Sequence, residues 1–320
     1  MKLVSYDELP EEYDSGRALV YLAAFGGFAD RANIDAWRHR TSAFAEYTGL
    51  FALDRGSVVG QTFVRRIAYT FPHGTETVSG IAAVSTRLDH ARAGVARRLL
   101  EEVHRREREA GIRYSTLWTN RSWGAHRLYE KLGYRDIYNP SWAVRVVTSG
   151  RPGRRPGGVR PGRRSDLSEM DRLHREYAKG RWGFVERPRR FLSVAAATGD
   201  FRPEEESIVV RGRDGLSGYA HLTATHSRII SGELVAMSSS ARRSLVSALE
   251  GRVRSGVVAF RDGVVDDLGS LLAGRGYEVA PAGWFGLMAT SLERKRSRAQ
   301  LSREFGTTDP RFLCLGGDRF

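Results

Sequence analysis

The same succession of elements is written twice along this chain, and that repetition restricts its fold more than any other feature. In the first half TVSGIAAVS (77–85) reads as a strand, and Gly94 to Ala110 as an amphipathic helix with Val95, Leu99, Leu100 and Val103 as its apolar positions. YSTLWT (114–119) follows as a strand, and 122–132 as a helix that stops at Gly133-Tyr134. In the second half GELVAMS (232–238), SARRSLVSALEGRV (240–253), SGVVAF (255–260) and VVDDLGSLLAGRGYEV (264–279) come in the same order, again closing on Gly-Tyr. Trp284 follows Gly276-Tyr277 much as Trp142 follows Gly133-Tyr134. Two copies of one fold of roughly 140 residues account for this recurrence.

The remaining pattern of the first half is mixed α and β. Ala18 to Phe25 reads as helix, GLFALD (49–54) and SVVGQTFVRRIAYTF (57–71) as strands around the turn Asp54-Arg55-Gly56, and Trp142 to Val147 as a last strand. The length of 320 residues, with 41% hydrophobic and 28% charged side chains, fits two soluble domains. No apolar run approaches the ~18 residues of a membrane span. The opening MKLVSYDELPEEYDSG lacks the apolar core of a secretion signal, and Cys314 is the only cysteine. A cytoplasmic protein without disulfides or a cysteine-rich metal site is the expectation. The net charge of +14 is unevenly spread. Residues 148–164 carry six Arg and no acid, within TSGRPGRRPGGVRPGRR, which reads as an interdomain linker. The expected division is 1–147, a linker at 148–157, a second domain at 158–290 and a basic C-terminal tail at 291–320.

Two segments of the first half invite a chemical reading. In AAVSTRLDHARAGVARRLL (82–100) a strand leads through a loop to a helix that begins at a glycine. The free N–H groups of such a first turn, with the helix dipole, form an anion site, and a glycine lets a ligand approach the backbone. Arg92, Arg97 and Arg98 flank it. In LYEKLGYRDI (128–137), Leu128 and Leu132 share a helix face and Gly133 suits the left-handed stop.

These two segments, in this order, resemble the GNAT acetyltransferase superfamily. The family loop Arg/Gln-x-x-Gly-x-Gly/Ala is similar to Ala91-Arg92-Ala93-Gly94-Val95-Ala96, although Ala91 replaces its leading Arg or Gln. Ala125-x-x-Leu128-Tyr129-Glu130-Lys131-Leu132-Gly133-Tyr134 is the closer match. The resemblance covers most of residues 1–147 and implies an α+β chain of two tandem GNAT acyl-CoA N-acyltransferase domains, each a mixed, mostly antiparallel sheet flanked by helices. A first active and a second degenerate copy is similar to the enhanced intracellular survival type of acetyltransferase. LHREYAKGRWGFVERPRRFL (173–192) also looks like the start of that type's second domain; its third, sterol-carrier-like domain has no counterpart in the roughly 30 residues after Ala289.

The resemblance also implies a cosubstrate, acetyl-CoA, and an amine acceptor, with no metal. It assigns the backbone of Val84, Ser85 and Thr86 to the thioester carbonyl, and Arg92, Ala93, Gly94, Val95, Ala96 and Arg97 to the pyrophosphate. Asn120, Ser122 and Ala125 join the cofactor side, with His126 at the surface or toward the adenine. Tyr129 is the expected proton donor to the leaving thiolate. Glu76, at the start of the strand, is the expected base acting through water, with His73 as a lesser candidate. The second copy has Ser238-Ser239-Ser240-Ala241-Arg242 at its helix entrance and Leu272 at the position of Tyr129, so it lacks both cradle and donor. A rival reading is a non-catalytic GNAT-fold module that binds RNA or a protein partner through the linker and LERKRSRAQLSR (292–303).

Overall fold

The computed structural model describes residues 1–27, 30–42, 45–148, 156–225, 227–261, 266–281 and 285–315. Trp284, Phe320 and residues 149–155 of the expected linker lie outside the described residues. The first half runs β1 (Lys2–Ser5), α1 (Asp14–Phe25), α2 (Arg31–Thr41), β2 (Glu46–Asp54), β3 (Ser57–Phe71), β4 (Gly74–Thr86), α3 (Val95–Glu109), β5 (Tyr114–Asn120), α4 (Gly124–Lys131), β6 (Arg135–Tyr138) and β7 (Ser141–Val147). It continues with β8 (Val159–Pro161), α5 (Leu167–Ala178), β9 (Trp182–Gly183), α6 (Phe191–Thr198), α7 (Pro203–Glu206), β10 (Ser207–Gly212), β11 (Gly215–Thr225) and β12 (Arg228–Ala236). Then come α8 (Ser239–Glu250), β13 (Gly256–Arg261), α9 (Asp266–Ala273), β14 (Glu278–Pro281), β15 (Phe285–Ser291), α10 (Arg298–Glu304) and β16 (Phe312–Leu313).

Local chemistry accounts for these elements. Arg55 and Gly56 both take positive φ, 47° and 73°, as a tight hairpin between β2 and β3 demands. The apolar stripe of α3 buries Val95, Leu99, Leu100 and Val103 against the first sheet. The two Gly-Tyr stops are the same structure. Gly133 and Gly276 both have positive φ, and the Tyr134 and Tyr277 N–H groups donate back to Tyr129 O at 3.0 Å and Leu272 O at 3.1 Å. The internal repeat therefore extends to individual hydrogen bonds.

The strands form two mixed sheets. The first has the order β1-β2-β3-β4-β5-β15-β6, with β9 and β16 attached beside β3. The second has the order β14-β7-β13-β12-β11-β10-β8. Each has one parallel pair among its principal strands, β4 with β5 and β12 with β13. These are corresponding positions of the repeat.

The sheets do not follow the division expected from the sequence. β7 precedes the linker yet lies between β13 and β14 in the second sheet. β15 closes the second half yet lies between β5 and β6 in the first. The two copies have exchanged their last strands. Asn139 and Pro140, which separate β6 from β7, have no positive φ and so do not form the type I′ or II′ turn of a two-residue hairpin. The tail is corrected as well. α10 packs against β6 and β15, and Leu301 and Phe305 are fully buried with Tyr69, Phe71 and Tyr114 of the first half. The Tyr69 hydroxyl donates to Phe305 O at 2.6 Å. Arg296 of the same basic run is paired with Glu304 at 2.8 Å.

Met288 of β15 is fully buried in the cluster that holds Leu99, Leu117 and Tyr129. Met288→Ala should therefore lower stability by about 2–5 kcal/mol in urea unfolding. Residues 1–147 produced alone should show no cooperative unfolding transition, because they lack β15 and α10.

Candidate active site

The parallel strands β4 and β5 form a fork. They pair at Ser79–Ser115, Gly80–Thr116 and Ile81–Leu117, and the pairing then stops although β4 continues to Thr86 and β5 to Asn120. The outer edges remain paired, β4 with β3 as far as Gly60–Thr86 and β5 with β15 as far as Asn120–Phe285. The cause lies in β4. Thr62 of β3 stands opposite two residues, Ala83 and Val84, and Ala83 has a φ of 50°. A bulge of this kind bends its strand, and a non-glycine residue held at positive φ stores strain typical of functional sites.

Buried polar atoms without partners gather at this bend. The Gln61 side-chain amide and the hydroxyls of Thr62, Ser79, Ser85 and Thr86 are buried, and none is hydrogen-bonded to a described residue. Gln61 and Ser85 are direct cross-strand neighbours. Such groups are rare in a folded interior and mark places where a ligand or water completes the bonding. Because β4 runs on to Thr86, the spacing from strand to loop is the ordinary one.

The open end of the fork leads to the start of α3. Arg92 has a φ of 64° and Gly94, the N-cap, a φ of 79°. The N–H groups of Gly94, Val95, Ala96 and Arg97 donate to no described acceptor, and the first helical bond runs from Arg98 N to Gly94 O at 3.0 Å. A Cβ built on Gly94 would meet nothing within 4 Å, so the space above this turn is open to a ligand. Ala93 differs from expectation, since its N–H is engaged by His90 O at 3.3 Å. The Val95 side chain is buried in the core, and its backbone alone faces the turn. Arg92 is exposed, and Arg97 is held by Glu101 at 2.8 Å.

The other arm of the fork ends in a turn built by Asn120 and Ser122. Asn120 Oδ1 accepts from Ser122 N at 2.8 Å and from Ser122 Oγ at 2.7 Å, while Asn120 O accepts from Trp123 N at 3.1 Å. This turn starts α4, on which Ala125 packs into the core. Tyr129 follows one turn later, 7% exposed and in the same cluster as Ile81 and Leu117, where the fork begins. Its hydroxyl has no hydrogen-bond partner among the described residues, and burial pushes its pKa up to about 12. The Tyr129 ring meets Tyr134 edge-on at 5.9 Å. The Tyr134 hydroxyl sits between His104 Nε2 at 2.8 Å and Ser115 Oγ at 2.7 Å, so one network joins α3, β5 and the end of α4.

Two expected placements are corrected. Glu76 lies eight residues before Val84, about 26 Å of extended strand away, where it pairs with Arg113 at 2.8 Å and His73 at 2.8 Å. It therefore stands far from the fork. His126 is buried, its Nε2 3.0 Å from Asp136 Oδ2. The bulge and its companions Gln61 and Thr62 escaped the sequence reading; a Gln inside the apolar run VVGQTFV was the one available signal. Among the described residues no group of three or more His, Cys, Asp or Glu side chains could hold a metal ion.

A parallel fork beside a bulged strand, opening onto free N–H groups at a helix start, decides the comparison. Residues 11–137 match the Acetyltransferase (GNAT) domain family. The chain has the tandem GNAT fold. It aligns over 92% of its length with a tandem GNAT protein from the clavulanic acid biosynthesis pathway, covering 99% of that chain at 13% identity and TM-score 0.56. Eis1 from Mycobacterium abscessus aligns over 92% of this chain and 74% of its own, with 19% identity and TM-score 0.60. A probable N-acyltransferase from Enterococcus faecalis aligns over 92% of this chain and 73% of its own, with 14% identity and TM-score 0.66. Among curated proteins none matches this sequence.

The network behind this fork has a pH signature. Burial lowers the His104 pKa from 6.5 to about 4, so the unfolded chain takes up a proton before the folded one does. The associated stability is complete above pH 6.5 and is lost as pH falls from there to about 4, on the order of 3 kcal/mol. Urea unfolding across this window should show a shallower acid decline for His104→Gln than for the wild type.

Proposed function

We propose that this protein is an acetyl-CoA-dependent N-acetyltransferase whose active site is the fork of the first sheet. The observation that carries the reading is the continuity of three features: unpaired strand edges, the uncapped first turn of α3, and a buried phenol at the base of the fork. Acetyl-CoA, when bound, supplies an acyl group activated as a thioester. The N–H groups of Gly94, Val95, Ala96 and Arg97 suit a pyrophosphate, with Arg92 adding charge at the rim. Backbone N–H groups in the stretch Val84, Ser85, Thr86 stabilise the oxyanion that develops on the acyl carbonyl. Asn120, Ser122 and Ala125 hold the second wall.

Tyr129 keeps its proton at neutral pH because burial disfavours the phenolate. It releases that proton to the sulfur only as the C–S bond breaks. None of the fork residues 81–86 or 117–120 carries a carboxylate. The acceptor amine therefore attacks as the free base to form the C–N bond and the tetrahedral oxyanion, its surplus proton passes to water, and collapse of the oxyanion then breaks the C–S bond. No helix of the described residues is long and apolar enough to cross a membrane. A cytoplasmic setting belongs to this reading, as does a primary amine acceptor on a small molecule or a protein.

Steady-state kinetics with a panel of primary amines test the assignment. Tyr129→Phe should lower kcat by roughly 10²–10⁴-fold while leaving CoA affinity unchanged. Gly94→Leu places a side chain in the open space at a φ of 79° and should instead weaken CoA binding. Glu76→Gln should leave the rate unchanged. A folded protein that shows no thermal shift with millimolar CoA would remove the basis of the proposal.

A further inference from the structure

The second sheet keeps the architecture of the first where the cradle is gone. β12 and β13 pair in parallel from Arg228–Val257 to Ser231–Phe260, and β12 then runs on to Ala236 without them. A bulge stands at the same place, since His221 pairs with Glu233 and Leu222 with Ser231, leaving Gly232 extra. The phosphate end is closed: Ser238 caps α8 with its own hydroxyl, which accepts from Ala241 N at 3.1 Å. The fork itself is not filled. A cavity of about 440 Å³ opens beside it, with Asp200, Phe201, Glu206, His221, Glu233 and Arg261 in its walls.

The floor of this cavity is a buried ion pair. Glu233, 1% exposed, accepts from Arg187 Nη1 at 3.0 Å, Arg187 Nη2 at 2.7 Å and the Tyr219 hydroxyl at 2.5 Å. Burial penalises this carboxylate, but the Arg187 guanidinium and its hydrogen bonds outweigh the penalty and hold it ionised. His221 Nδ1 lies 3.8 Å from Glu233 Oε2, and its Nε2 is buried with no hydrogen-bond partner. Burial also lowers the His221 pKa, with Glu233 opposing, so the ring stays neutral at pH 7. With its proton on the nitrogen nearer Glu233, the other nitrogen presents a lone pair.

We propose that this fork is a binding site for an organic ammonium, separate from the acetyl-transfer site. The His221 Nε2 lone pair accepts one N–H, Asp200 and Glu206 supply negative charge, and the Phe201 ring, 4.6 Å from that of His221, offers a face for a cation. Glu206 is braced by Arg202 at 2.9 Å and Asp200 by the Thr198 hydroxyl, which orients both carboxylates. Arg261 has contacts of its own and closes the end of β13. Glu233, with both oxygens taken by Arg187 and Tyr219, is not a ligand group.

Isothermal titration of the full chain tests this with 1,5-diaminopentane and 2-phenylethylamine against their neutral counterparts 1,5-pentanediol and 2-phenylethanol. At least one amine should bind and neither alcohol should. Asp200→Asn, at an exposed position, should weaken binding of that amine about tenfold, and His221→Phe about tenfold or more, the loss expected for one charge-assisted contact. Urea unfolding checks that each variant is folded; if His221→Phe is not, Asp200→Asn decides alone. The proposal is overturned by an absence of amine binding, by equal binding of the alcohols, or by wild-type affinity in the folded variants. The titration contains no CoA, and loss of amine binding in folded Asp200→Asn assigns it to this fork whatever the outcome of the acetyl-transfer reading.

Discussion

Residues 285–291 hold the outer edge of β5, and the candidate site depends on that pairing. One arm of the fork, β4, is fixed by the long β3–β4 ladder within the first half. The other arm has only three pairings to β4, and beyond Leu117 its register comes from β15. A strand whose pairing stops on one side must be held on the other, or its backbone groups lose both partners. The second half of the chain thus supplies a wall of the first half's cleft.

The differences between the two copies are local and specific. Its stop after α9 reproduces the hydrogen bond that follows α4, with Leu272 O in place of Tyr129 O. The backbone is equivalent, and only the side chain has changed from a phenol to an apolar group that is fully buried. At the helix entrance the change is one of competition. A Ser N-cap satisfies a first-turn N–H from within the protein, whereas Gly94 offers no side chain and leaves that donor for a ligand. Relative to glycine, the serine cap strengthens the helix by about a few tenths of a kcal/mol and takes one first-turn donor away from any anion in the same step.

Much of the fold was legible because it is local. The turn at Arg55-Gly56, the stripe on α3, the Gly-Tyr stops and the repeat itself are written in short-range spacing, and Gly94 and Tyr129 lie where the motif placed them. The exchange of β7 and β15 was not legible, since alternation identifies a strand but not its partner across ~140 residues. The bulge at Ala83 has no glycine or proline to announce it. Glu76 was misplaced because a thirteen-residue strand carries its start far from its end. The tail looked solvated from its charge, while its buried pair, Leu301 and Phe305, stands at the i, i+4 spacing of one helix face.

The environment of Tyr129 joins stability and chemistry through one quantity, the burial of a phenol. A hydroxyl buried without a partner would cost on the order of 1–3 kcal/mol, and the Tyr129 hydroxyl avoids this by staying within reach of solvent. Tyr134 shows how a neighbouring phenol avoids that cost, bonded at once to His104 and Ser115 and raised still further in pKa. Had Tyr129 such partners, its proton would be committed to them and unavailable to a leaving group. A phenol whose ring is buried and whose hydroxyl has no protein partner keeps its proton through the resting state and offers it to no protein acceptor when negative charge appears nearby. The apolar cluster around Met288, Leu99 and Leu117 therefore does more than fill space. It buries the Tyr129 ring while leaving the hydroxyl without a protein partner, and part of that cluster is contributed by the far end of the chain.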